Sequence, residues 1–209
     1  MKAKYLAEGS EYTPAQFNQA WSALEAGSVG PGDVVVAQGT GGVSLFALQL
    51  AKARGATVIL TSSSDEKLEL GRRLGADHLV NHRTTPDWER EVRALTNRRG
   101  ADLVVDVGGQ NTLGRSVRAT RMGGSVAIVG VLGGFGNAEV PVSTAMTQNI
   151  HLVGITVGSV HAHAELAAAV ATAGFRPHIS HRLGWHELPE AMRVMQAGEH
   201  VGKITVEVP

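Results

Sequence analysis

The run Val34-Val35-Val36-Ala37-Gln38 passes directly into Gly39-Thr40-Gly41-Gly42-Val43-Ser44, and an apolar helical pattern follows. Each small residue in that turn has a separate physical reason. Gly39 permits the tight exit from the strand. Gly41 lets the backbone approach a pyrophosphate with no side chain in the way. Ser44 stands where a third glycine would allow the helix to pack closely on the strand. The free N–H groups and the positive end of the helix then face an anion. The hexapeptide alone is a weak signal. Its place between a strand and a helix, opening a strand–helix–strand unit, makes it a dinucleotide-type turn.

The rest of the chain repeats that alternation. The patterns predict strands at Val34–Gln38, Thr57–Thr61, His78–Val80, Leu103–Val107, Ser125–Val131 and Leu152–Val157. Helices are predicted over 15–26, 43–54, 65–74, 86–96, 111–120 and 163–173. Several strands are short apolar runs without clean alternation, as when helices cover both sheet faces. The fold expected is α/β, a doubly wound parallel sheet of the Rossmann type. Residues 1–19 read as a lead-in and helix start, and 20–174 as the dinucleotide-binding domain. Residues 175–209 read as a short appended segment, with strands at 177–183 and 203–208 and a helix at 188–196.

Composition narrows the function. The 209 residues carry 19 basic and 19 acidic side chains and no cysteine. No basic stripe suits a nucleic acid or an anionic membrane. Without cysteine there are no disulfides and no thiolate zinc ligands. No apolar run reaches the ~18 residues of a membrane span, and a cytoplasmic protein is expected. His161/His163 and His178/His181 have short spacings, but no cysteine–histidine framework or paired carboxylate completes them, so no metal is expected. No Gly-x-Ser-x-Gly elbow points to a hydrolase. Trp21, Trp88 and Trp185 read as packing residues.

The second strand's tip speaks to the cofactor. An NAD-selective site places a carboxylate about 20 residues past the first glycine, on the ribose hydroxyls. Here Ser62 lies 23 positions after Gly39, within Thr61-Ser62-Ser63-Ser64. Those hydroxyls and the cation of Lys67 suit a 2′-phosphate, so NADP(H) is expected ahead of NAD(H). Asp65 and Glu66 read as helix-capping and dipole-complementing groups.

As a set, Gln38 to Ser44, Ser62 to Lys67, Leu74-Gly75-Ala76-Asp77, Asp106-Val107-Gly108-Gly109, Gly123-Gly124-Ser125 and Gly202-Lys203-Ile204 resemble zinc-type medium-chain dehydrogenases and their quinone-oxidoreductase relatives. The resemblance runs from about Ala20 to the C-terminus. It implies that Gly39, Thr40, Gly41, Gly42 and Val43 hold the pyrophosphate, and that Ser62, Ser63 and Lys67 surround the 2′-phosphate. His82 falls where relatives often carry a tyrosine near that phosphate. Gly130, Val131, Leu132 and Thr156, Val157, Gly158 would flank the ribose and nicotinamide. The family's GroES-like domain, which supplies much of the substrate pocket and any catalytic zinc ligands, is expected to be missing, since only residues 1–19 precede the matching region.

The implied reaction is hydride transfer between NADPH and a small carbonyl, quinone or enone, with no residue assigned as catalytic acid. The competing readings are a non-catalytic NADP(H)-binding module or sensor and a methyltransferase-like Rossmann protein. The uncharged, β-forming sixth strand should lie at a sheet edge. The resemblance implies that two such edges meet across a two-fold axis in a homodimer.

Overall fold

The computed structural model describes residues 14–174 and 176–209. The predicted lead-in of residues 1–13 lies outside the described residues. Strand β1 (Val34–Gln38) sits at the centre, between β2 (Thr57–Ser62) and β4 (Ala101–Asp106). With β3 (His78–Asn81), β5 (Thr120–Ile128) and β6 (His151–Gly154), they form one all-parallel sheet in the order β3-β2-β1-β4-β5-β6. That is the doubly wound order.

The continuous apolar runs follow from burial on both faces. Val35, Ala37, Val58, Leu60, Leu103 and Val105 point into one hydrophobic cluster, while Val36, Ile59 and Val104 point into a second. The first cluster is closed by α1 (Pro14–Ala26), α2 (Gly42–Ala53) and Leu166 of α7 (Val160–Ala173). Here α3 (Asp65–Arg73) contributes Leu68. The second is closed by Trp88 and Val92 of α4 (Trp88–Leu95) and by Leu113 and Val117 of α5 (Leu113–Ala119). Residues Gly42 to Ala51 of α2 are buried all round, so that helix carries no polar face.

Some boundaries differ from the sequence pattern. β5 begins at Thr120 and ends at Ile128, and β6 occupies His151–Gly154 rather than 152–157. At the end of β5 the backbone turns toward β4 instead of continuing, because Val129 and Gly130 N–H both donate to the Asp106 carbonyl. A short helix, α6 (Val142–Thr147), is absent from the sequence pattern; it buries none of its residues fully and so leaves little periodic signal. β6 is an edge strand, as expected.

The appended segment forms its own unit. β7 (Ile179–Gly184) and β8 (Lys203–Glu207) pair in parallel, joined through α8 (Leu188–Ala197). Gly202 N–H donates to the Thr40 carbonyl at 2.9 Å, and Gly202 bridges Gly41. This return docks the C-terminal unit on the glycine-rich turn.

Candidate dinucleotide site

The chain reverses direction across the sheet between β1 and β4, and ligands of open α/β sheets bind in the crevice at such a point. Gly39 leaves β1 with φ +78°, a conformation side chains other than glycine's rarely adopt. Its N–H donates to the Thr61 carbonyl at 2.9 Å. Gly41 is the N-cap of α2, with φ −77° and no side chain capping it. A Cβ on Gly39 or Gly41 would meet nothing within 4 Å. The space beside Gly39 and Gly41 is therefore clear, and no side chain caps the first turn of α2, an arrangement that suits an anion. Thr40, Gly42 and Val43 are buried beside it. Ser44 is buried too, and its hydroxyl donates to the Gln38 carbonyl at 2.5 Å. That bond explains why a small hydroxyl residue serves where a glycine was expected.

Gly42 marks the closest approach. A Cβ there would lie 2.6 Å from Gln16 Oε1 and 2.7 Å from both Cε and Nζ of Lys203. Lys203 is 8% exposed, and its Nζ sits 5.5 Å from the Phe46 ring centroid. Among the described residues its ammonium has no carboxylate or hydrogen-bond partner. Burial pushes its pKa down to about 8. A buried unpaired cation is costly. Here it stands beside the open helix end. Sequence reasoning placed Lys203 in a family motif and gave it no role; its only signal was a lone charge opening an apolar strand.

A second buried centre shapes the crevice wall. Asp106 ends β4, is fully buried, and accepts from Gly109 N–H at 2.8 Å and from the Thr112 hydroxyl at 2.8 and 2.9 Å. Ser116 Oγ donates to it at 2.6 Å, and Gln38 Nε2 at 3.3 Å. The Gln38 amide also donates to Ser116 at 2.7 Å, while its Oε1 is buried without a partner among the described residues. This network ties the ends of β1 and β4 to α5.

The crevice itself, a cavity of about 470 Å³, is lined by Gly39, Thr61, His82, Trp88, Thr112, Arg115 and Leu132, among others. His82 follows β3. Desolvation and then repulsion from Arg83 hold its pKa below the usual histidine range. Arg115 is fixed by Asp87 at 3.0 Å and Glu89 at 3.1 Å. Neither Trp88 nor Arg115 was singled out for this crevice from sequence.

The other expected residues are dispersed. Ser62 is buried, with its carbonyl accepting from His82 N–H at 2.9 Å, and Ser63 beside it is half-buried. Lys67 Nζ donates to the Gly198 carbonyl at 2.7 Å and lines a separate cleft with Arg73, His178 and Glu199. Asp65 accepts from Asn81 at 2.8 Å. Gly130 lies so close to Val107 that a Cβ would come within 2.7 Å of its carbonyl oxygen. Val131 and Leu132 follow it and are exposed, with Leu132 at the crevice mouth. The Thr156 carbonyl accepts from Gln19 at 2.5 Å, Val157 is exposed, and Gly158 packs on Asn18.

Among the described residues no three histidines, cysteines or carboxylates are grouped to hold a metal. The nearest approach is His161 to Glu165 at 3.3 Å, on the surface.

Sheet order, glycine-rich turn and uncapped helix end together define a Rossmann-type nucleotide-binding domain. The chain belongs to the zinc-binding dehydrogenase family, whose profile matches residues 42–173. A zinc-type alcohol dehydrogenase-like protein of Schizosaccharomyces pombe is 35% identical over 195 residues, covering 90% of this chain and 56% of that protein. A solved structure described as an alcohol dehydrogenase from Sinorhizobium meliloti 1021 is 43% identical with TM-score 0.88, covering 93% of this chain and 57% of the other. An NAD-dependent alcohol dehydrogenase structure is 33% identical with TM-score 0.84, over 94% and 57%. The chain thus spans little more than half the length of these relatives. No helix among the described residues is long and apolar enough to cross a membrane.

Proposed function

We propose that this chain binds NADP(H) and serves as the nucleotide half of an oxidoreductase. The reaction proposed is hydride transfer to a small carbonyl, quinone or enone. The observation that carries the binding reading is Lys203, a largely buried lysine beside the uncapped α2 terminus with no carboxylate partner among the described residues, where a pyrophosphate would supply a counter-charge. The nicotinamide, when bound, supplies the hydride. The chain's own residues hold and orient the cofactor: Gly39 to Val43 at the pyrophosphate, and Gly130 to Leu132 with Thr156 to Gly158 along the ribose and nicotinamide.

Preference for the 2′-phosphate rests on Ser62, Ser63, Lys67 and His82, with no carboxylate at the β2 tip. Lys67 must leave the Gly198 carbonyl to reach that phosphate, and one hydrogen bond to a neutral oxygen is a modest hold. The experiment is calorimetric titration with NADPH, NADH and S-adenosylmethionine, on the parent and on Lys67→Ala. NADPH should bind most tightly, and Lys67→Ala should weaken it by about 1–3 kcal/mol more than NADH. Equal losses for both cofactors, or tighter NADH binding by the parent, would defeat the preference. Binding of S-adenosylmethionine alone would defeat the whole reading.

We further propose a homodimer built on the edge of β6. Leu152 on that strand and Val157 just beyond it are exposed apolar residues, and a sheet edge leaves backbone groups unpaired.

A further inference from the structure

A second and larger cavity lies outside the dinucleotide crevice. It is a groove of about 880 Å³ bounded by α4, α5 and the segment around Asn137 and Glu139. Five arginines line it (Arg90, Arg93, Arg98, Arg115 and Arg118), against three carboxylates (Asp87, Glu89 and Glu139). A chain with 19 basic and 19 acidic residues thus concentrates an excess of two positive charges in one concavity.

The groove is built rather than merely charged. Arg93 is half-buried and spends all its N–H groups on neutral oxygens: the carbonyls of Arg118, Arg98, Arg99 and Thr120, and Gln148 Oε1. Among the described residues no carboxylate neutralises it, and burial lowers its pKa. Arg93 therefore lends the groove lining a positive charge held in place, with no N–H left over for a ligand. The turn that supplies two of those carbonyls holds Asn97 and Arg98 in consecutive left-handed conformations, with φ +51° and +66°. Among the described residues the Arg98 guanidinium has no partner, and Arg118 makes one bond of 3.3 Å to the Gly114 carbonyl. Arg90 reaches Asp87 only at 3.9 Å. Three guanidiniums thus retain most of their donors. Guanidiniums match phosphoryl oxygens in charge and in bidentate geometry.

We propose that this groove binds a phosphorylated small molecule carrying at least two negative charges, held by Arg98 and Arg118 over the fixed charge of Arg93. It is distinct from the glycine cradle. Arg115 and Asn111 line both cavities, so the two sites share a wall.

The test is calorimetric titration of the full chain with inorganic pyrophosphate, at constant ionic strength set by potassium chloride. Because the glycine cradle also suits pyrophosphate, the titration is run on Gly41→Val, which closes the cradle and leaves the groove. Pyrophosphate should still bind Gly41→Val. Affinity should fall roughly tenfold or more in Gly41→Val carrying Arg98→Gln and Arg118→Gln. The Arg98→Lys and Arg118→Lys pair, which keeps charge and bulk, should lose less. No binding to folded Gly41→Val, or binding indifferent to the glutamine pair, overturns the proposal. Titration of NADPH into the parent separates this outcome from failure of the dinucleotide reading, since the groove residues Arg98 and Arg118 do not line the crevice.

Discussion

Lys203 and Gly42 are in van der Waals collision range of any added methyl: a Cβ on Gly42 would stand 2.7 Å from the lysine Nζ. The contact joins the first turn of α2 to the first residue of β8. It brings a buried positive charge to the place where the fold collects partial positive charge from the helix dipole. Two like-signed features held together without a counter-ion are stable only at a cost, and an anion relieves it.

The first prediction concerns that cost. Burial holds Lys203 at about 8 in the folded chain, against 10.5 for an ordinary lysine. Below about pH 8 both folded and unfolded states carry the proton, and the folded state bears the whole penalty. Between about 8 and 10.5 the unfolded state binds more protons, so this residue's contribution to stability rises with pH. A dinucleotide favours the charged form. Its affinity should therefore fall as pH climbs past about 8, with proton uptake on binding, read by calorimetry in buffers of different ionisation enthalpy. Lys203→Met should be at least as stable at about pH 7, bind NADPH roughly tenfold or more weakly, and lose that pH dependence. A parent affinity flat across this range, or a methionine variant that binds normally, refutes the assignment.

Gly41→Val tests the cradle. The residue has φ −77° and empty space beyond its missing Cβ, so valine should fold with a melting temperature close to the parent's. The new side chain would fill the path of a pyrophosphate. Calorimetry should find dinucleotide binding abolished; unchanged affinity in the folded variant would mean that the phosphate lies elsewhere.

Asp106 should matter through geometry. Replacing it with alanine strips acceptors from Gly109 N–H, Thr112, Ser116 and Gln38 in a fully buried site. Gly109 N–H is left stranded, while Gln38, Ser116 and Thr112 keep other acceptors, so denaturant unfolding should show a loss of about 1–3 kcal/mol. The Asp106→Asn variant, which keeps the shape and one acceptor oxygen, should lose less. Equal stability of parent and alanine variant would show that the network contributes nothing.

Assembly is tested at Leu152. Ile155, although it lies near the edge strand, packs against the main hydrophobic cluster, so changing it confounds folding with assembly. Leu152 is 41% exposed on β6 itself. Light scattering across a concentration series should show a dimeric parent and a Leu152→Lys variant shifted to monomer. A monomeric parent, or a dimer indifferent to that lysine, removes the edge-strand interface.

Much of the architecture could be read from local chemistry. Strand β1, the Gly39 turn and α2 were legible because their constraints are short-range: a β-branched run, a positive φ that wants glycine, and an apolar helix directly after it. The edge position of β6 was legible because doubly wound sheets follow a standard strand order. What the pattern could not reach depends on residues far apart in the chain. Lys203 is ordinary until β8 folds back and Gly202 bonds to Thr40, which buries its ammonium against Gly42. Lys67 looked free to face the ribose, yet the C-terminal unit brings the Gly198 carbonyl to it at 2.7 Å. The arginines of the groove are scattered over α4, the turn after it and α5, and only the packing of these helices on one sheet face turns them into a single positive surface. Backbone preference is a local energy and is written along the chain. Burial and electrostatic potential sum over neighbours in space, so those were decided only once the chain had folded.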